Sequence, residues 1–124
     1  MMTLRCVFLI IALLALPATG VRAADDAGAL MTELSQRVRQ HGEKFARCVD
    51  NTTIRHAQHP ESSPEAAAAA SVEDCEGVLR VFIASCSPNI QTLCENFAKD
   101  MRSREVKRAV ERIGRLRAAT NMEK

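Results

Sequence analysis

The chain has no tryptophan and no tyrosine, and only four phenylalanines in 124 residues. So few aromatic rings leave nothing to build a base-stacking platform for single-stranded nucleic acid, and they limit how much apolar surface a core can bury. Glycine is scarce as well, with five residues, and none falls in a glycine-rich phosphate loop or a G-x-S-x-G nucleophile elbow. No cysteine pair shows the close spacing of a zinc site, and no stretch alternates apolar and polar residues long enough to make a strand. Excess charge of one sign is also missing, the formal net charge being +2. These absences disfavour nucleotide enzymes, serine hydrolases, zinc modules and nucleic-acid binders. They leave an all-α reading, with no cofactor, metal ligand or catalytic residue assigned.

What is present begins with Met1 to Ala23. A short segment carrying Arg5 precedes an apolar run from Cys6 to Leu16, and Pro17 and Gly20 lead into Val21-Arg22-Ala23. This is the layout of a cleavable secretory signal, and the run is too short for the roughly 20 residues that a membrane-spanning helix needs. Cleavage is expected after Ala23, with Ala18-Thr19-Gly20 as a second acceptable site. Removing 23 of the 124 residues leaves 101, enough for a single helical domain, 24–124, with a modest core. The expected location is secreted or periplasmic.

Cleavage changes the inventory. It removes Cys6 and leaves Cys48, Cys75, Cys86 and Cys94, an even set that in an exported chain implies two disulfides. It also removes Arg5 and Arg22, leaving 15 basic against 15 acidic residues. The balance hides an asymmetry, for Ala24 to Ala98 holds 6 Lys or Arg against 11 acids and Lys99 to Lys124 holds 9 against 4.

Helical periodicity covers most of the remainder. Ala27, Met31, Leu34, Val38, His41, Phe45 and Cys48 recur at alternating steps of four and three, which predicts a helix over about 26–49 ended by Asp50-Asn51. Thr52 to Ser63 reads as a linker. Ser63-Pro64-Glu65 is a start signal for a helix over 64–86, in which Ala66 to Ala70 bury little and Ser71 offers a second start. Ser87-Pro88 opens a third helix, 88–101, with Ile90, Leu93, Cys94, Phe97 and Met101 inward. A change of apolar phase at Val106 predicts a kink near Asp100 to Arg104 and a last segment over 103–119. The outcome is a three- or four-helix bundle.

Within a continuous second helix, Cys75 and Cys86 would stand about 16 Å apart, beyond disulfide reach. Cys48 with Cys75 and Cys86 with Cys94 is the favoured pairing. Cys48 with Cys86 and Cys75 with Cys94 fits better if the alanine run is helical. The nine residues from Cys86 to Cys94 resemble the C-x7-C core of the cysteine-rich repeat of a Golgi apparatus protein and of small secreted bacterial proteins. No function is carried over from those nine residues.

Among exposed features, Arg104, Arg108, Arg112 and Arg115 follow one another at steps of four, four and three, flanked by Lys107 and Arg117 and opposite Val106, Val110, Ile113 and Leu116. The plain reading is a solvated face held by Glu105–Arg108 and Glu111–Arg115 pairs. The sharper reading is a docking surface for an acidic protein, with a second copy of the chain as one alternative and an anionic membrane as a less favoured one. His56 and His59 sit on the linker, where solvation outweighs metal binding, and His41 lies on the apolar seam of the first helix. Asn51-Thr52-Thr53 fits the N-glycosylation rule in a eukaryotic source. The expected function is binding of another protein, in the manner of an inhibitor or immunity protein. A helical periplasmic chaperone or a stress- or metal-sensing protein is the alternative, and a small secreted enzyme is a remote third.

Overall fold

The computed structural model describes the backbone from Thr19 to Lys124 and the side chains from Asp25 onward. Most of the expected signal segment, 1–23, therefore lies outside the described residues. Among those described there are four α-helices and no strand: α1 (Thr19–Ala57), α2 (Pro64–Glu73), α3 (Glu76–Ala84) and α4 (Gln91–Met122), with a 3-10 turn at Pro88–Ile90 before α4. The chain divides into two units, 1–34 and 35–124. In the first, Leu34 is buried, whereas Ala27 and Met31 are exposed. The second holds the rest of the core.

Within 35–124 the direction of each helix follows from its cross-links. As α1 advances from Arg37 through His41, Cys48 and Thr52, its partners retreat from Ser85 through Phe82 and Cys75 to Ser71. The partners of α4 advance with α1, from Gly42 beside Met101 to Asp50 beside Arg108 and Ala57 beside Arg117. So α2 and α3 together form one antiparallel arm, and α1 and α4 run parallel. Four helices make three arms. The packed interior contains Phe45, Val49, Leu79, Phe82, Cys94, Met101 and Ile113, all nearly or fully inaccessible.

Three helix boundaries differ from those expected. The first helix does not end at Asp50-Asn51 but continues to Ala57. Thr52 and Thr53, read from sequence as linker, are buried, and the Thr52 hydroxyl is within hydrogen-bonding distance of the Cys48 and Val49 carbonyls of its own helix and of the Ser71 carbonyl of α2, at 2.9 Å. The helix end is closed from a distance, because Arg117 of α4 donates through Nε to Ala57 O, through Nη2 to His59 O and through Nη1 to Ser62 O. A cation there satisfies carbonyls that the helix itself leaves open.

The second helix is broken. Its start is the one expected, the Ser63 hydroxyl accepting from Ala66 N and Pro64 opening the first turn. The alanine run is helical and packs, with Ala67 and Ala68 buried and α2 lying closely against α4. Ser71 does not restart the helix, since its hydroxyl donates backwards to Ala67 O at 2.8 Å. The interruption falls at Asp74 and Cys75, where Cys75 has φ −103° and ψ 2° and α3 begins at Glu76.

No break falls near Asp100 to Arg104, where a new segment was expected, and α4 is continuous for 32 residues. Its inward positions are Cys94, Ala98, Met101, Glu105, Ala109 and Ile113, with Glu105 half-buried among them. The apparent phase shift is one acidic residue standing in an apolar row.

The disulfides join Cys48 to Cys75, with Cα atoms 5.9 Å apart, and Cys86 to Cys94, at 6.7 Å. The geometry behind the first bond is not the one expected. The alanine run is helical, the condition under which the other pairing was to fit better, but the break at Asp74-Cys75 places Cys75 against the late turns of α1.

A candidate interaction surface between the parallel helices

Two halves of opposite charge meet in the bundle. Arg102 of α4 grips Glu76 of α3 fork to fork, Nε donating to Oε1 and Nη2 to Oε2 at 2.7 Å. The grip holds the Glu76 carboxyl below its ordinary pKa, and hydrogen bonding to Arg102 is the largest cause. Further along, Asp50 Oδ1 of α1 accepts a hydrogen bond from Arg108 Nη2 at 2.9 Å and forms an ion pair with Arg112 Nη1 at the same distance. Beside them Glu105 Oε2 is buried and 3.4 Å from Arg108 Nε, close enough for an ion pair but not aligned as a hydrogen bond. Burial is the main cause that raises the Glu105 pKa, and Asp50 adds to it, against the opposing pull of Arg108 and Arg104.

The four arginines singled out from sequence therefore do not form one free face. Arg108 and Arg112 are committed to Asp50, Arg104 lies 3.4 Å from Asp100 on its own helix, and Arg115 is exposed with no ion pair among the described residues. The Glu105–Arg108 pair is present, and Arg112 borders the core beside Ile113 instead of opposing it. Arg117, treated as a flank of the stripe, is the residue that ties down the 58–63 connection. Sequence spacing revealed the row of arginines but not Asp50, 58 positions away from Arg108.

The remaining polar candidates also go separate ways. His56 Nε2 contacts Asp74 Oδ2 at 2.8 Å and His59 Nδ1 contacts Glu61 Oε1 at 3.3 Å, so the two histidines engage different carboxylates. No group of three or more metal-binding side chains converges among the described residues. The His41 ring lies 5.5 Å from that of Phe82 and tilted 41° to it, and its pKa is lowered first by burial and then by Lys44 and Arg37. Asn51 is exposed inside α1, whereas Thr53 of the same tripeptide is fully buried.

Below the charge cluster, α1 and α4 bound an open groove of about 600 Å³. Ile54, Ala57 and Pro60 supply one side and Leu116, Arg117 and Thr120 the other, with Gln58, Asn121 and Lys124 at the rim. Ile54 is 45% exposed, with half-buried Ala57 three residues on, and it falls in the stretch that the sequence pattern marks as linker. The groove offers apolar contact, amide and hydroxyl groups and two cations. Its lining side chains include no carboxylate, histidine or thiol.

The chain matches no known family model, no curated protein and no solved structure.

Proposed function

We propose that this chain is a small exported protein that works by binding another protein. The groove between α1 and α4 carries the reading. It joins exposed apolar side chains to polar rim groups on a scaffold tied by two disulfides, the combination that protein-recognition surfaces use. Its side chains are equipped for contact more than for chemistry. Export is supported by the signal-like sequence of residues 1–23 and by the disulfides, which persist in oxidising compartments. No helix among the described residues is long and apolar enough to cross a membrane. An inhibitor- or immunity-like role is one form such binding would take.

Affinity capture tests the proposal. The oxidised protein and its Ile54→Asp variant are immobilised side by side and exposed to the extracellular or periplasmic fraction of the source cells. A protein retained by the first and released by the second is the expected result. Retention by neither, or equally by both, would count against the groove as the working surface.

A further inference from the structure

Asn51 and Thr53 of α1 bring little to the fold. Asn51 is exposed inside the helix, where asparagine is a poor helix former, and its carboxamide has no partner among the described residues. Thr53 is fully buried, and its hydroxyl also has no hydrogen-bond partner. Elsewhere Thr32, Ser71 and Thr120 return their hydroxyls to the carbonyl four residues earlier, the ordinary fate of a hydroxyl on a helix. A valine would fill the place of Thr53 without burying an unsatisfied oxygen. Thr52, between them, is different, because its hydroxyl reaches Ser71 O and joins α1 to α2.

A buried polar group without a partner calls for a reason outside packing. The two residues that the fold uses least are the two that N-glycosylation requires, an asparagine to accept the sugar and a threonine two positions on, with a residue other than proline between. When the sugar is transferred before folding, the Thr53 hydroxyl has to be accessible only then, and its later burial is no obstacle. The acceptor itself must stay outside, because a glycan is bulky and hydrophilic. Asn51 meets that condition, with exposed Arg47 and Arg55 one turn to either side and no place in the lining of the groove.

We propose that Asn51 carries an N-linked glycan. Its carboxamide nitrogen attacks the anomeric carbon of an oligosaccharide held on a polyprenyl diphosphate. The N–C bond forms as the C–O bond to the diphosphate breaks, the amide gives up one proton, and the lipid diphosphate leaves with the electron pair. The co-reactant belongs to a secretory compartment with a membrane-bound transferase, so the glycan rests on the export proposed above but not on the groove or on any partner.

Intact mass of the protein recovered from its source cells, before and after peptide N-glycosidase, tests this. The untreated protein should exceed the mass of the polypeptide from Ala24 to Lys124 by a sum of hexose and N-acetylhexosamine units. The enzyme should remove that excess and leave an aspartate at the acceptor position. Asn51→Gln and Thr53→Val should each abolish the excess, whereas Thr53→Ser and Thr52→Val should keep it. Polypeptide mass alone, or an excess that survives in Thr53→Val, would overturn the proposal. An unmodified chain that begins at Ala24 refutes the glycan and leaves the binding role standing, while an unmodified chain that keeps residues 1–23 overturns export as well.

Discussion

The Glu76 carboxylate and the Arg102 guanidinium meet through two parallel hydrogen bonds, 26 residues apart in sequence and on different helices. They are the most direct link between the acidic and basic parts of the chain. Both side chains keep some exposure, 24% for Glu76 and 41% for Arg102, so solvent screens the attraction. A double-mutant cycle with Glu76→Gln and Arg102→Gln, read by urea denaturation at neutral pH, should give a coupling of about 0.5–1 kcal/mol. Because the folded pKa of Glu76 lies below its unfolded value, this contribution is complete above the unfolded pKa and disappears as pH falls through the folded one. The coupling should vanish in strong acid.

Adjacent threonines on α1 should respond oppositely to the same substitution. Thr52 places its hydroxyl 2.9 Å from Ser71 O, whereas the buried Thr53 hydroxyl has no hydrogen-bond partner. Thr53→Val keeps the shape and removes an uncompensated polar group, so it should stabilise the protein by about 1 kcal/mol. Thr52→Val should destabilise it by about the same amount. Thermal melts of the two variants with the parent decide the matter.

Glu105 gives the fold a second, contrary response to pH. Its folded pKa lies above the unfolded value, so the native state takes up the proton more readily; this group makes the protein less stable as pH rises from the unfolded value through the folded one. Glu105→Gln should therefore melt higher than the parent at neutral pH by a few degrees, and its advantage should shrink on acidification. Asp50→Asn removes one cause of the shift, and NMR titration of the Glu105 carboxyl carbon in that variant should report a lower pKa.

The disulfides enclose segments of unequal length. Cys48–Cys75 spans 27 positions and Cys86–Cys94 spans 8, and chain-entropy arguments assign about 3.5 and about 2.5 kcal/mol to loops of those sizes. Replacing both cysteines of the first pair by alanine should lower stability more than the same change in the second, by about 1 kcal/mol in denaturant titrations. Peptide mapping under non-reducing conditions should return these two pairs and no others.

The helical class was legible because it rests on local pattern, on spacing of three and four, whereas the favoured cysteine pairing is the one found but through a helix break at Asp74-Cys75 that the sequence did not announce. Ser63-Pro64 marked a helix start correctly for the same reason. Failures came where a distant partner overrules a local signal. Asp50-Asn51 resembles a helix end until Thr52 finds Ser71 and Arg117 closes the helix from another arm. Glu105 reads as a break in the apolar row, but Arg108 lies beside its carboxylate and the helix keeps its phase. The alanine run has too little surface to signal burial, although small side chains are what let α2 approach α4. For the candidate surface, the arginine row was visible, its acidic counterpart on α1 was not, and Ile54 was hidden inside a supposed linker.

Arg117 has a further consequence. Both covalent cross-links lie away from the 58–63 connection, which Arg117 fastens by three hydrogen bonds and no bond that survives transient opening. The molecule is consequently stiff at one end and hinged at the other. Release of a single guanidinium lets the tail of α4 swing and the furrow widen while the cross-linked end keeps its shape. Amide hydrogens around His59 and Leu116 should exchange through this partial opening well before those around Cys94, making the end that carries the groove the one free to change its width.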